Sequence, residues 1–288
     1  MTVFGRPTDR EQMNANETGR RHVAVVTGAA GAIGTAIARQ LAAGADLEVV
    51  LVCRDADKAM RCTQEIAQTS GNNRVRYELA DLSRRSSVQA MADRWQGPVH
   101  VLVNNAAVAP QRRRSTPEGI ELQFATNVLG YFWMIQAFTE HLRHASPARI
   151  VNVASYWAGG LDIQDLEFER RPYNNNQAYR QSKQADRMLT VAFAKRLQSL
   201  GITVNACHPG DVNSTLSNEL GFGGHESPEQ GARTPVWLAT DESVGRLTGK
   251  YFERQREVRC PFAADADGVE NLFAACEAYG LTGRSATP

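Results

Sequence analysis

The chain has 288 residues, enough for one large α/β domain or two small ones. Its hydrophobic content of 42%, charged content of 22% and net charge of +1 are ordinary for a soluble globular protein and leave no bulk basicity for binding nucleic acid. Charges run through the N-terminal segment, and the least polar stretch, residues 22–38, is too short to span a bilayer. Five scattered cysteines include no CxxC pair. These features predict a cytoplasmic protein with reduced thiols, no bound metal and no membrane anchor.

Strands and helices are predicted to alternate along the chain after a flexible arm at residues 1–20. Short β-rich runs predict strands at 22–28, 48–54, 74–80, 99–105, 148–155 and 202–210, with a seventh at 249–252. Helical periodicity predicts helices at 32–43, 58–68, 86–95, 118–144 and 179–200, with another at 271–281. Continuous apolar strands between helices indicate a parallel sheet covered on both faces, which is an α/β doubly wound fold. We assign residues 21–258 to one domain and residues 259–288 to a C-terminal extension packed on it or on a partner.

A glycine-rich turn, TGAAGAIG, joins the first strand to the first helix at residues 27–34. Glycine lets the backbone approach a pyrophosphate closely, and a helix N-terminus offers free N–H groups and a positive dipole end. A tight turn without a ligand is the alternative explanation, but the position after the first strand favours a dinucleotide site. From this turn we assign Thr27, Gly28, Ala32, Ile33 and Gly34 to cofactor binding.

The end of the second strand indicates which dinucleotide binds. A carboxylate that binds the 2′-hydroxyl of NAD(H) usually stands here, but Cys53 occupies about that position and Arg54 follows. An arginine pairs with a 2′-phosphate, which a carboxylate would repel. We therefore predict NADP(H) rather than NAD(H), with a solvated surface charge as the alternative explanation for Arg54.

Two side chains of one predicted helix suit proton transfer. Tyr179 and Lys183 are four residues apart and so share a helix face. A free tyrosine has a pKa of about 10, and a neighbouring ammonium brings that pKa nearer the working range. Ser155, at the end of the fifth strand, would hold a carbonyl oxygen beside the phenol. Asn127 would bind a proton-relay water, with a locally satisfied helix amide as the alternative.

In their order along the chain, these motifs resemble the short-chain dehydrogenase/reductase family, nearest its retinol-dehydrogenase and carbonyl-reductase branch. The resemblance covers about residues 22–258 and rests on TGAAGAIG (27–34), CRD (53–55), ADL (80–82), NNAA (104–107), TNVLG (126–130), IVNVAS (150–155), YRQSK (179–183) and HPGDVNST (208–215). It implies a Rossmann fold of about seven strands. It also implies an oxidoreductase that passes a hydride between a nicotinamide and a carbonyl or alcohol carbon of a small apolar substrate.

The resemblance further implies a role for each site residue. Tyr179 would be the acid/base, and Lys183 would lower its pKa and bind the nicotinamide ribose. Ser155 would orient the substrate oxygen, and Asn127 would complete the proton relay. The other cofactor contacts would be Asp81 and Leu82 at the adenine, Asn105 beside the cofactor, and Pro209, Gly210, Val212 and Thr215 towards the nicotinamide end.

Two positions depart from the family pattern. The middle glycine of the first motif is Ala32, while Gly31 stands one position early, a spacing closer to epimerase-like members. Ala107 replaces the glycine of the NNAG motif. The glycine spacing motivates one alternative, an epimerase- or dehydratase-like enzyme that retains its cofactor. A second alternative is a non-catalytic NADPH-binding regulator.

Residues 159–177 form a predicted loop insertion, which the resemblance places at the mouth of the active site, lining the pocket or covering a dimer face. Five apolar residues near the expected substrate predict an apolar pocket wall, with core packing as the alternative: Trp157, Leu161, Phe168, Leu216 and Phe222. The helices at 118–144 and 179–200 resemble the dimer helices of the family. We therefore expect a homodimer or homotetramer unless the insertion blocks these helices.

Overall fold

The computed structural model describes residues 22–44 and 46–281, so the predicted arm at 1–20 lies outside the described residues. Among the described residues, eight strands form one sheet in the order β3-β2-β1-β4-β5-β6-β7-β8. The strands are β1 (His22–Thr27), β2 (Leu47–Cys53), β3 (Val75–Leu79), β4 (Val101–Asn104), β5 (Ala148–Val153), β6 (Ile202–His208), β7 (Tyr251–Glu253) and β8 (Arg256–Val258). Neighbouring strands are parallel except β7 and β8, which are antiparallel. The predicted doubly wound α/β fold is confirmed, with one strand more than expected.

Helices cover both faces of this sheet. They are α1 (Ala32–Ala43), α2 (Ala56–Ser70), α3 (Arg85–Arg94), α4 (Gly130–His144), α5 (Asn175–Leu197), α6 (Thr215–Glu219), α7 (Pro228–Thr240) and α8 (Ala266–Leu281). One apolar core lies between the sheet and α3, α4, α5 and α8, and a second lies between the sheet and α1, α2 and α7. Within the part of the chain that the structure describes, no helix is long and apolar enough to cross a membrane.

The parallel strands bring the predicted site residues to one edge of the sheet. Val25 of β1 pairs with Val50 of β2 and with Leu102 of β4. Strands β5 and β6 run in the same direction, with Val153 opposite Cys207. The segments that follow these strands therefore emerge side by side, at the edge where a doubly wound sheet binds its ligand.

The long helix predicted at 118–144 has a different beginning from the one expected. A π-helical turn, Phe124–Leu129, precedes α4, and the Gly130 N–H donates to the Ala125 carbonyl five residues back. Such turns frequently mark functional sites. Hydrophobic periodicity did not reveal this turn, because all six of its residues are buried and no exposed position marks the change of helix type.

The added strand β8 reverses the chain after β7 through Arg254 and Gln255. Both residues have positive φ, 48° and 60°, which suits a two-residue hairpin turn. The sequence did not predict this hairpin because neither residue is the glycine or asparagine that usually occupies such a turn.

Helix α8 packs against α4 and α5. The ring of Phe273 lies 5.1 Å from that of Phe132 and 5.2 Å from that of Phe193, measured between centroids. The guanidinium of Arg196 lies 3.7 Å from the Phe273 ring centroid on the same helix pair. The C-terminal helix therefore buries apolar surface of the two helices that were expected to form a dimer.

The 159–177 insertion packs beside α8 and the start of the π-helical turn. Glu167, which is buried, accepts a hydrogen bond from the Tyr279 hydroxyl of α8 at 2.6 Å and another from the Glu121 N–H at 2.9 Å. Phe168 and Leu161 pack into the apolar interior beside these groups. These two apolar residues therefore contribute to packing, which was the alternative to a role in the pocket wall.

Candidate active site

A cavity of about 600 Å³ lies at the carboxyl ends of strands β1 to β4. Gly28, at its edge, has a φ of +62°, and a Cβ there would lie 2.7 Å from the Cα of Ala106. A Cβ on Gly34 would overlap the Gly28 carbonyl oxygen and lie 2.7 Å from the side-chain nitrogen of Asn105. Both positions therefore require glycine, and the backbone is bare on this side of the cavity.

The N-terminus of α1 opens into the same cavity. Ala32 and Ile33 line it together with Gly31, which is the N-cap residue of the helix and has no side chain to cap it. The N–H groups of the first turn are therefore available to an anion. A Cβ at position 31 would lie 3.3 Å from the Gly28 carbonyl oxygen, a tight contact. The shifted glycine thus leaves space for a phosphate between the bare backbone at Gly28 and Gly34 and the first turn of α1, and we call this space the cradle. The residues present therefore fit a dinucleotide.

Charged side chains line the cavity beyond β2. Arg54 is exposed there, just before α2, and Lys58 lies in the first turn of α2. The Asp55 carboxylate caps α2 by accepting a hydrogen bond from the Lys58 N–H at 3.0 Å. Burial raises the pKa of the Cys53 thiol to about 11, so this side chain is neutral at physiological pH. This wall therefore carries two cations against one carboxylate.

Residues at the carboxyl ends of β1 and β4 form the floor of the first cavity. The Thr27 hydroxyl accepts hydrogen bonds from the N–H groups of Asn105 and Ala106 at 2.9 and 3.2 Å, and it lies beneath the cavity. The side-chain amide of Asn105 donates to the Thr27 carbonyl at 3.0 Å. Asp81 and Leu82, which follow β3, line another wall. Apart from Thr27, the cofactor residues predicted from the strands β1 to β4 thus meet in one cavity.

A second cavity, of about 180 Å³, adjoins the first near the carboxyl ends of β5 and β6. Ile33, Ser214 and Leu216 line both cavities, so the two are adjacent. Six of the predicted site residues line the second cavity: Ile33, Ser155, Tyr179, Pro209, Gly210 and Val212. The predicted Thr215 lines the first.

The second cavity has an aromatic side and a polar side. The ring of Trp157 lies 5.9 Å from that of Phe222 and 6.2 Å from that of Tyr179, measured between centroids. His208 and Asp211 also line the cavity. Burial lowers the pKa of His208 to about 4, so its imidazole is neutral at physiological pH. The cavity therefore has apolar surface over much of its wall and a neutral imidazole beside one carboxylate.

Tyr179 is buried in the wall of this second cavity, with 7% of its surface exposed. Burial raises the pKa of Tyr179 above its ordinary value, while the Lys183 ammonium and a hydrogen bond with Ser155 oppose the rise. The lysine thus acts on the phenol in the expected direction, but burial outweighs it. The Ser155 hydroxyl accepts a hydrogen bond from the Trp157 N–H at 3.1 Å. Since Ser155 and Tyr179 line one cavity, an oxygen bound there can contact both.

Lys183 is buried behind Tyr179 and lies outside the linings of both cavities. Its Nζ is 5.8 Å from the ring centroid of Tyr179 and 5.1 Å from that of Tyr131. It donates hydrogen bonds to the Val153 carbonyl and to the Asp186 carboxylate, each at 2.9 Å. Burial alone would lower the pKa of Lys183, but Asp186, Tyr131 and Tyr179 together outweigh burial and raise the pKa, so the lysine stays protonated.

Asn127 lies in the π-helical turn and is fully buried. Its side-chain oxygen accepts a hydrogen bond from the Val108 N–H at 2.9 Å, and its amide donates to the Val108 carbonyl at 3.1 Å. The amide also donates to the Ser182 hydroxyl at 3.2 Å. The protein itself therefore satisfies this side chain, which links the loop after β4 to the helix that carries Tyr179.

Two charged residues of the site, Lys58 and Asp186, were missed. Asp186 stands three residues after Lys183 on one helix, and residues three or four apart on a helix are neighbours. The kind of spacing that identified Tyr179 and Lys183 could therefore have indicated Asp186. Arg54 precedes α2, so helix spacing does not relate it to Lys58.

Two further residues hold the end of β5 and carry no local signal. The Tyr131 hydroxyl donates to the Val153 carbonyl at 3.2 Å, across 22 residues of chain. The Arg187 guanidinium donates to the Ser155 carbonyl, across 32 residues, and lies 3.6 Å from the centroid of the Tyr251 ring. These contacts position Ser155, and they join elements whose proximity follows from the folded structure rather than from a motif.

Comparison with known proteins identifies the family. A family described as short chain dehydrogenase matches residues 22–221. A probable oxidoreductase from Streptomyces antibioticus is 40% identical over 263 aligned residues, and the match covers 84% of this chain and 87% of that protein. Retinol dehydrogenase 13 from Mus musculus is 34% identical over 270 aligned residues, with 86% and 80% covered. The crystal structure of an uncharacterized protein from Mycobacterium paratuberculosis has a TM-score of 0.76 at 27% identity and covers 91% of this chain and 94% of its own.

The matched region includes both cavities up to the segment that follows α6. Members of this family bind NAD(P)(H) and act on small molecules, and the relatives at 40% and 34% identity are named as an oxidoreductase and a retinol dehydrogenase. The chain is therefore an enzyme, a pyridine-nucleotide oxidoreductase, and it belongs to the short-chain dehydrogenase family.

Proposed function

We propose that the enzyme uses NADP(H) to pass a hydride between the nicotinamide and a carbonyl, or a primary or secondary alcohol, of a small apolar substrate. The observation that carries this proposal is the adjacency of the two cavities, with Tyr179 and Ser155 in the wall of the second. The residues around Gly28 and Gly34 would hold the dinucleotide, which supplies or accepts the hydride. The protein supplies the position of the substrate and the proton.

Tyr179 is the acid/base in this proposal. In reduction its phenol donates a proton to the substrate oxygen, and in oxidation its phenolate accepts one. Ser155 donates a hydrogen bond to the same oxygen and so orients it. Lys183 stabilises the phenolate through its positive charge. Asn127 positions the relay that returns a proton to the phenol.

The charges beyond β2 support NADP(H) over NAD(H). Arg54 and Lys58 line the cavity where the cofactor ribose would lie. The thiol of Cys53 is neutral and does not repel a phosphate. A guanidinium can bind a phosphate through two parallel hydrogen bonds, which a ribose hydroxyl cannot match. The 2′-phosphate of NADP(H) is therefore the group that this wall suits.

The lining of the second cavity supports a small apolar substrate. Trp157, Leu216, Leu220 and Phe222 contribute apolar surface around Tyr179. The cavity volume of about 180 Å³ favours a compact group next to the reacting carbon. One relative is named as a dehydrogenase of retinol, an apolar primary alcohol, which agrees with this lining.

Substitution of Tyr179 tests the proposed reaction. A panel of aliphatic and aromatic aldehydes, ketones and alcohols, assayed with NADPH, NADH and their oxidised forms, first identifies a substrate for the wild-type enzyme. Tyr179→Phe should then lower kcat by about 10³-fold while NADPH binding changes by about twofold at most, because a positioned acid/base contributes on that order. NADPH binding is measured by fluorescence titration.

Tyr173→Phe is the matched control. The Tyr173 hydroxyl donates to the Pro110 carbonyl at 3.0 Å and accepts from the Gln123 side chain at 2.8 Å, and it lies outside both cavities. This variant should keep most of its activity. A Tyr179→Phe enzyme that keeps about a tenth or more of wild-type kcat would refute the assigned acid/base.

The spacing of Gly28, Gly31 and Gly34 keeps one alternative function in view, an epimerase- or dehydratase-like enzyme that retains its cofactor. A cofactor that remains bound through gel filtration would support that alternative, and ready exchange with free NADPH would contradict it. The membership of an oxidoreductase family argues against a non-catalytic regulator. A homo-oligomer and a cytoplasmic location stay predictions.

A further inference from the structure

The buried pair formed by Lys183 and Asp186 is a feature that the proposed reaction does not yet explain. The two side chains stand three residues apart on α5, with exposures of 1% and 0%, and Nζ lies 2.9 Å from Oδ2. Burying two charges costs desolvation of both, so such a pair seldom stabilises a protein more than apolar residues of similar volume would. Its position next to the proposed acid/base points to a role in the chemistry.

The hydrogen bonds of the pair show how Asp186 competes for the lysine. An ammonium has three donors, and the Val153 carbonyl and Asp186 take two of them. One donor of the ammonium remains. Oδ1 of Asp186 is buried and has no hydrogen-bond partner among residues 22–44 and 46–281. The carboxylate charge is therefore balanced by Lys183 rather than spread over backbone N–H groups.

The titratable side chains that face the pair from other elements are neutral. Tyr131 of α4 and Cys207 of β6 lie near Lys183, and Cys276 of α8 lies near Asp186. Burial raises the pKa of all three above the ordinary value, so none is ionised at neutral pH. The next residue, Arg187, is charged, but its guanidinium binds the Ser155 carbonyl and the Tyr251 ring.

The ionised groups that act on Tyr179 are therefore Lys183 and Asp186. They act in opposite directions, because the ammonium favours the phenolate and the carboxylate opposes it. Among the other groups of the second cavity, Tyr156 is neutral because burial and Asp211 raise its pKa, and His208 is neutral because burial lowers its pKa. The balance between one cation and one anion thus decides when Tyr179 gives up its proton.

We propose that Asp186 is a positioning residue that sets the pH at which Tyr179 exchanges its proton. It acts through its ion pair with Lys183, because its negative charge offsets part of the lysine charge at the phenol. Tyr179 consequently holds its proton to a higher pH than an unpaired lysine would allow. Carbonyl reduction requires the protonated phenol, so the pair favours reduction at neutral pH. This inference rests on the proposed role of Tyr179.

Asp186→Asn tests the proposal, because it removes the negative charge at nearly constant shape. In the pH–rate profile, the limb that arises from ionisation of Tyr179 should move to lower pH by about one unit. This is the order expected for the loss of one nearby unit charge in a protein interior. The shift should be visible in the alkaline limb of kcat/KM for reduction and in the acid limb for oxidation. Thermal unfolding and NADPH titration establish that the variant is folded and binds cofactor.

Two control variants make the shift specific. Asp186→Glu keeps the charge and should leave the limb close to its wild-type position. Asp165→Asn neutralises another buried aspartate, which pairs with Arg171 at 3.2 Å in the 159–177 insertion, and should also leave the limb in place. If Asp186→Asn does not fold, Asp186→Ser removes the same charge while leaving room for a water, and the same downward shift is expected.

A limb that stays in place or moves to higher pH in the folded neutral variant overturns the role of Asp186. This result differs from a failure of the proposed function, which would appear as a Tyr179→Phe enzyme that remains active. If Tyr179→Phe is inactive but the limb does not move in Asp186→Asn, Tyr179 remains the proposed acid/base and Asp186 does not control its ionisation.

Discussion

The two cavities of this enzyme are formed by different kinds of groups. Backbone and small side chains line the first, where Gly28 and Gly34 are required by close contacts. The second depends on charged side chains buried behind its wall, Lys183, Asp186 and Arg187. A site made of backbone needs a few residues that are close in sequence, whereas buried charges need partners from distant elements. Substitutions in the first region should therefore act on cofactor binding, and those in the second on proton chemistry and stability.

The largest expected effect on cofactor binding belongs to Gly34→Ala in the first region. The added methyl group would overlap the Gly28 carbonyl oxygen and crowd the Asn105 side chain, so the cradle must change shape. NADPH binding should weaken by about 100-fold or more, because a backbone site cannot shift without losing its N–H geometry. Fluorescence titration of the purified variant measures this loss.

Gly31→Ala is the control for that substitution. A Cβ at position 31 would lie 3.3 Å from the Gly28 carbonyl oxygen, so a small shift can accommodate it. Its effect on binding should be about tenfold at most. Equal NADPH affinities for the wild-type enzyme and Gly34→Ala would show that the glycine turn does not hold the dinucleotide.

A smaller effect, on stability, is expected from Phe273→Ala in the support of the second region. Phe273 is 5% exposed and packs against Phe132 and Phe193 of the two helices that carry Tyr131 and Lys183. Its truncation leaves a cavity and should lower the free energy of unfolding by about 3 kcal/mol. Urea unfolding measures this change.

The comparison between the regions predicts that Phe273→Ala leaves NADPH affinity nearly unchanged under native conditions. Met60→Ala is the control, because Met60 is 43% exposed on α2 and should cost about 0.5 kcal/mol or less. A loss of stability in Phe273→Ala no larger than that of the control would mean that α8 contributes little to holding α4 and α5.

The same contrast explains what could be predicted from the sequence. The alternation of apolar strands and helices was sufficient for the doubly wound fold, because each element carries its own periodicity. The glycine turn and the spacing of Tyr179 and Lys183 were recognisable because their requirements lie within eight residues and five residues of chain. The placement of these groups at one edge of the sheet followed from strand direction.

Long-range packing set the limit of prediction. The apolar face of α8 could be recognised, but the pattern does not say that Phe273 meets Phe132 and Phe193. The bond from Arg187 to the Ser155 carbonyl likewise joins residues that no motif connects. The net effect of burial on Tyr179, which outweighs the lysine four residues away, also depends on surroundings that come from other elements.

The smallest expected effect is that of Arg54→Ala, because an exposed charge is screened by solvent and salt. The variant should lower kcat/KM for NADPH by about tenfold and leave kcat/KM for NADH unchanged, since a charge-assisted bond to the 2′-phosphate is lost. Arg61→Ala is the control, because it removes an exposed arginine of α2 that lies outside the cavity. This variant should use both cofactors as the wild-type enzyme does.

Salt dependence makes the test of Arg54 sharper. Raising the ionic strength should reduce the NADPH preference of the wild-type enzyme and have less effect on Arg54→Ala, because the phosphate interaction is electrostatic. A preference that survives in Arg54→Ala but falls in Lys58→Ala would assign the phosphate to the first turn of α2. A preference that survives both substitutions would mean that cofactor selection, like pyrophosphate binding in this region, depends on backbone N–H groups rather than on side-chain charge.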